Sequence, residues 1–232
     1  MTTTATYSRV RRPVSSQRRA RNHNLEEQAQ AVFDSFFDNP IKEKTLRLDS
    51  IAEINPKRTL AKGANVRCID MSYLSTSGSF PSGWEYRQYS GGMKFINGDT
   101  LMARITPCLE NGKVAYVNFL EEDEVAFGST EYIVFHGKNG FPDEMFYFLT
   151  RNQNFIDYAT KNMNGSSGRQ RVSGETIGQY LIPELSEGEL EKIRICSKAA
   201  MTEILRNSLE SINLRVMRDS LLPRLMSGEI TC

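Results

Sequence analysis

From Ser186 to Met226 the chain can be little other than one long helix. Pro183 ends the strand-like run before it, and Ser186 with Glu189 three residues later is a capping box, each side chain able to satisfy the other's backbone N–H. Leu190, Ile193, Met201, Ile204, Leu205, Leu209, Ile212 and Val216 then form one apolar stripe. Ile193 to Ile204 and Met201 to Ile212 are both eleven residues apart, which suits a near-straight helix better than a strict heptad. Such a helix outruns a small globular core, so part of it should pack on another helix in a coiled-coil-like way. A second copy of this chain is the expected partner, the two long helices antiparallel in a homodimer.

A second, shorter helix is expected over Leu25–Phe37, where Leu25, Ala29, Val32, Phe33, Phe36 and Phe37 recur at helical spacing. Asn24 can cap it, Glu26 and Glu27 would oppose its dipole, and Pro40 would stop it. Residues 1–22 hold six arginines and no acid, with little to bury, and read as a disordered tail. That tail is either solvated or a phosphate-binding arm.

Between residues 40 and 185 the pattern is mixed. Short β-type runs at Leu101–Ile105, Val114–Val117, Val125–Phe127 and Tyr132–Phe135 alternate with turn signals, among them Asn97-Gly98-Asp99 and Asn111-Gly112. Phe141 to Lys161 has helical spacing, broken near Asn152, and Pro142-Asp143-Glu144 reads as a helix start. The fold class is α+β: one mixed, largely antiparallel β domain with a long C-terminal amphipathic helix.

Composition excludes several classes. No apolar run is long enough to span a bilayer, and scattered Cys68, Cys108, Cys196 and Cys232 suit neither a disulfide framework nor a zinc site, so a reducing cytoplasm is expected. No P-loop or dinucleotide fingerprint is present. With only His23 and His136, a catalytic triad has few options; His136 follows an apolar strand and is not expected to do catalytic work. A stand-alone nuclease or hydrolase would have to use His136 or the Asp143/Glu144 pair, and no catalytic residue or metal ligand is assigned.

What remains are basic and polar loops, the first two of them free of acids. Lys57, Arg58 and Lys62 lie in one, Arg169, Gln170 and Arg171 follow the flexible Gly165–Gly168 run, and Arg104 and Lys113 flank a third. Arginine reads guanine edges and glutamine reads adenine, while lysine mainly meets phosphate. Net charge is +1, but residues 1–22 carry +6 and leave the remainder at −5, so duplex binding must rest on local patches. The negative balance would also suit a pure interaction module that reads no DNA.

Ordered motifs resolve these alternatives toward one family. Leu48-Asp49-Ser50-Ile51-Ala52-Glu53-Ile54-Asn55-Pro56-Lys57, then Gly98-Asp99-Thr100-Leu101-Met102-Ala103-Arg104 with Gly112-Lys113-Val114-Ala115, then Gly128-Ser129-Thr130-Glu131-Tyr132 and Gly168-Arg169-Gln170-Arg171-Val172 run in sequence. With Leu25–Phe37 and the ending Arg218-Asp219-Ser220-Leu221-Leu222-Pro223-Arg224-Leu225-Met226-Ser227-Gly228, this resembles half of a DNA-specificity subunit of type I restriction–modification enzymes. The resemblance implies a short spacer helix over 23–39, a target-recognition domain over 40–185, a spacer and dimerisation helix over 186–226 and a tail over 227–232. It implies a non-enzymatic protein that reads one half of a bipartite double-stranded DNA site. Its partners would be the modification (methyltransferase) subunits, which hold S-adenosylmethionine, and a restriction/translocase subunit; the chain itself would need no cofactor.

Overall fold

A computed structural model describes residues 14–38, 44–166 and 168–229. Its centre is strand β9 (Tyr132–Gly137), whose apolar run is explained by burial on both faces. Ile133 and Phe135 point into one core, while Tyr132 and Val134 point into another. The neighbours alternate likewise. On β6 (Thr100–Ala103) Met102 joins the first core and Leu101 the second; on β7 (Val114–Tyr116) Val114 and Tyr116 face one way and Ala115 the other.

These strands and β2 (Ala52–Ile54) form an antiparallel sheet in the order β2-β9-β6-β7, Gly112 at φ 66° making the turn between β6 and β7. The second core lies between it and a sheet ordered β4-β3-β8-β5, from β3 (Asn65–Ile69), β4 (Glu85–Gln88), β5 (Lys94–Phe95) and β8 (Ala126–Gly128). Its β3–β8 pair is parallel, so the antiparallel expectation holds with that exception. A two-stranded ladder joins β1 (Thr45–Arg47) to β10 (Leu181–Pro183), bringing the two ends of the domain together. Short helix α2 (Leu48–Ile51) follows β1.

Helices cover the other face. The break expected near Asn152 separates α3 (Glu144–Arg151) from α4 (Gln153–Lys161). Asn152 is extended at ψ 133°, and its side chain accepts from Phe155 N to cap α4. Its Nδ2 donates to Asp34 and Asp38 at 2.9 and 3.1 Å, tying the break to α1 (Val14–Phe37). After α4 a loop leads to α5 (Gly174–Gly178), five residues capped by Ser173.

Helix α1 corrects the expected boundary: it starts at Val14, not after Asn24. Its first turns run antiparallel along α6 (Glu187–Met226). Arg18 pairs with Glu210, Arg21 with Glu203 at 3.6 Å, and Asn22 accepts from Asn207 Nδ2 at 2.9 Å. The helix extends back from Asn22 because α6 supplies acidic and amide partners to Arg18, Arg21 and Asn22, whereas Arg9, Arg11, Arg12, Pro40, Ser167 and Cys232 lie outside the described residues. Glu26 is not a first-turn acid but is buried mid-helix, accepting from Ser79 N at 2.6 Å and Ser79 Oγ at 2.7 Å. Phe33 is 1 % exposed and stacks on Phe37, so the phenylalanines find their partner in this chain's own core.

The capping box at Ser186 and Glu189 is formed. The apolar stripe it opens is divided between two environments. Ile193, Met201 and Ile204 are buried, with Leu190 and Leu205 packed beside them, so these five meet the chain's own core and not a second copy. Beyond Asn207 only the start of α1 accompanies the helix, as far as Glu210, and Leu209, Leu214, Val216, Met217, Leu221, Leu222, Leu225 and Met226 are exposed. Among the described residues no helix is long and apolar enough to cross a membrane.

Candidate nucleic-acid interface

The sheet's register places two of the basic loops side by side. Ala103 pairs with Tyr132, so the next residues outward, Arg104 and Glu131, also meet, and Arg104 N donates to Glu131 O at 3.0 Å. The returning segment after α4 lies along the extension of β6: Val172 N donates to Arg104 O, Thr106 N to Gln170 O at 3.1 Å, and Ile105 bridges Arg171. Arg104, Arg169, Gln170 and Arg171, sixty-odd residues apart in sequence, are thereby gathered on one rim.

Within that rim the arginines differ. Arg171 Nε and Nη2 grip the Glu131 carboxylate at 2.7–3.0 Å, and Nη1 donates to Arg169 O at 3.1 Å. The hydrogen bond from Arg171 holds the Glu131 carboxyl below its ordinary pKa, with Arg104's charge adding to it against partial burial. Arg104 Nε is buried without an acceptor among the described residues. Arg169 is exposed, and its side chain forms no ion pair among the described residues.

The other basic positions divide similarly. Lys57 and Lys62 are exposed. The loop carrying Lys57 starts against α5: Asn55 lies so close to Gly174 that a Cβ there would come within 2.7 Å of its Nδ2. Arg58 departs from the expectation of a free phosphate contact: its Nη2 and Nε grip Asp99 at 2.7 and 3.1 Å, and only 15 % of its side chain is exposed. Lys113 donates to Met71 O at 2.9 Å, so its ammonium is partly committed to a backbone carbonyl. Glu131 and Asp99 were not singled out by sequence; the one signal for either is its place inside the quoted motifs.

Asp99 is the centre of a buried polar cluster. It is fully buried and accepts from Arg58, from Ile96 N at 2.8 Å and from His136 Nδ1 at 2.8 Å, while Asp143 Oδ1 lies 3.7 Å from the same ring nitrogen. Gly98, at φ +93°, makes the approach possible; a Cβ there would sit 2.6 Å from Asp143 Oδ2. Asp143 also accepts from Gly137 N at 2.7 Å, and its neighbour Glu144 opens α3, so these acids serve the turn and helix start. Among the described residues no group of three or more His, Cys, Asp or Glu is placed to hold a metal ion.

The cluster carries a pH dependence. The Asp99 hydrogen bond, helped by the charges of Asp143 and Asp99, raises the His136 pKa above its ordinary value, against burial and the Arg58 cation. A histidine raised in the folded state stabilises the fold fully below its unfolded value of about 6.5, and the contribution is lost as pH rises through the folded value. The melting temperature of the wild type minus that of His136→Gln is therefore expected to be larger at about pH 6 than at about pH 8.5. A difference that grows with pH would contradict this assignment.

No family model matches the chain. Two curated relatives do, both from Escherichia coli. The type I restriction enzyme EcoAI specificity subunit is 30% identical over 154 residues, 64% of this chain and 26% of the relative. The EcoEI specificity subunit is 26% identical over 184 residues, 77% of this chain and 30% of the relative. The chain is homologous to part of the type I specificity subunits. Solved members of that group share its fold: the HsdS subunit from Thermoanaerobacter tengcongensis aligns over 94% of this chain and 54% of its own, at 11% identity and a TM-score of 0.50. The type I S subunit from M. genitalium aligns over 91% and 57%, at 14% identity and a TM-score of 0.53. A third chain, solved in work on complex assembly and conformational transition of the type I R-M system, aligns over 91% and 54% at 10% identity and a TM-score of 0.52. The chain thus spans about half the length of the solved specificity subunits and under a third of the curated relatives.

Proposed function

We propose that this chain supplies DNA sequence specificity, without catalysis of its own, to a type I restriction–modification assembly. Its mixed domain reads one half of a bipartite site in double-stranded DNA, and its helices dock the modification subunits that hold S-adenosylmethionine and methylate adenine; a restriction/translocase subunit joins them. The observation that carries this reading is the rim where Arg104, Gln170 and Arg171 are locked by backbone pairing while the exposed Arg169 side chain forms no ion pair among the described residues. It supplies a local positive patch on a body whose balance is −5. The names of the relatives and the shared fold support it. A homodimer formed through the distal half of α6 would restore two recognition domains.

The roles divide by chemistry. Arg169 and Gln170 face base edges, Arg104 and Arg171 build the rim, and Lys57, Lys62 and Lys113 lie toward phosphates. Binding is tested on target and shuffled duplexes at two salt concentrations, with the chain in complex with its modification subunits. Lys57→Ala should weaken both duplexes alike and reduce the salt slope by about one unit. Arg169→Ala should cost roughly 1–3 kcal/mol on the target alone and relax the choice of base. Equal affinity of wild type and Arg169→Ala for the target would remove Arg169 from the readout.

A further inference from the structure

We infer that Glu131 is a specificity-positioning residue: it clamps Arg171 away from the DNA backbone and so fixes the loop that presents Arg169 and Gln170. The inference rests on the specificity reading above and deepens it. One residue ties both loops, because the Glu131 carbonyl takes the Arg104 amide at 3.0 Å and its carboxylate takes Arg171 through three contacts of 2.7–3.0 Å. Arg171 in turn reaches the Arg169 carbonyl at 3.1 Å, so the clamp extends to the backbone of the residue that projects.

A carboxylate in a patch meant for nucleic acid is at first sight misplaced, since it repels phosphate. Its geometry resolves this. An arginine free on a glycine-flanked loop finds the nearest phosphate whatever the sequence, and that binding carries no information. The planar guanidinium held side-on by a carboxylate has few other orientations, and the loop it anchors keeps one shape. Glu131 therefore lowers indiscriminate affinity while preserving the base-reading geometry, a gain in the ratio of target to non-target binding. Arg171 belongs to the support and not to the readout.

The test uses the full chain co-purified with its modification subunits. The probes are a duplex carrying the motif mapped from methylated genomic DNA and a shuffled duplex of equal length. Glu131→Gln is expected to reduce the preference for the target by about tenfold, while steepening the salt slope on the shuffled duplex by about one unit as Arg171 turns to phosphate. Arg171→Met should lose a similar preference without that steepening, and its melting curve with that of Glu131→Gln shows that both remain folded. A merely structural role would weaken both duplexes alike and leave the slope unmoved, which would overturn the inference, as would a Glu131→Gln preference within about twofold of the wild type. A wild-type complex with no preference at all would instead refute the specificity reading itself.

Discussion

Replacing Asp99 with alanine is expected to destabilise the domain by roughly 3–5 kcal/mol, the range for removing one partner of a buried ion pair. Asp99 is fully buried and answers Arg58, His136 and the Ile96 amide together. Its loss leaves the Arg58 guanidinium, only 15 % exposed, without its direct ion-pair partner, and Asp143 is the carboxylate left in the cluster. The penalty is thus that of a stranded cation and not the small net value of a surface pair. The consequence reaches the proposed interface, because Arg58 pins the loop that carries the exposed Lys57, the residue proposed to meet phosphate. Urea unfolding measures the loss, and faster amide exchange over residues 57–62 would accompany it. A loss below about 1 kcal/mol would mean that the cluster is held by its backbone contacts alone.

Two substitutions in α6 should part folding from assembly. Ile204→Asp places a carboxylate where Ile204 is 2 % exposed within the apolar core. A loss of several kcal/mol, roughly 3–5, is expected, enough to unfold much of the chain. Leu221→Asp combined with Leu222→Asp falls where the side chains are 44% and 50% exposed. That variant should melt within about 2 °C of the wild type yet shift the particle from dimer to monomer by light scattering. Unchanged mass in a wild type that is already monomeric at tens of micromolar would remove the homodimer from the account.

The sequence was legible where local signals and burial agree. The run Tyr132–Phe135 is apolar at every position because both faces of β9 are covered, and Asn152 marks the break between α3 and α4 through its own capping chemistry. The capping box at Ser186 fixed the start of α6 to the residue. What escaped was decided by partners distant in sequence. Arg18 to Asn22 look like a solvated tail until α6 brings Glu203, Asn207 and Glu210 alongside. Arg58 looks like a free cation until the turn at Gly98 presents Asp99, and Arg171 until the β6–β9 register presents Glu131. The stripe on α6 showed its spacing but not where the body ends, so Ile204 and Val216 were indistinguishable although one is buried and the other 61% exposed.

The most direct measurement is a map of methylated adenines in genomic DNA after co-expression of this chain with its modification subunits. One domain used twice in a homodimer predicts a bipartite motif whose two halves are inverted copies of each other, present only with this chain and altered at the same position of both halves by Arg169→Ala. No methylation dependent on the chain, or a motif indifferent to Arg169→Ala, Gln170→Ala and Arg104→Ala alike, would contradict the account.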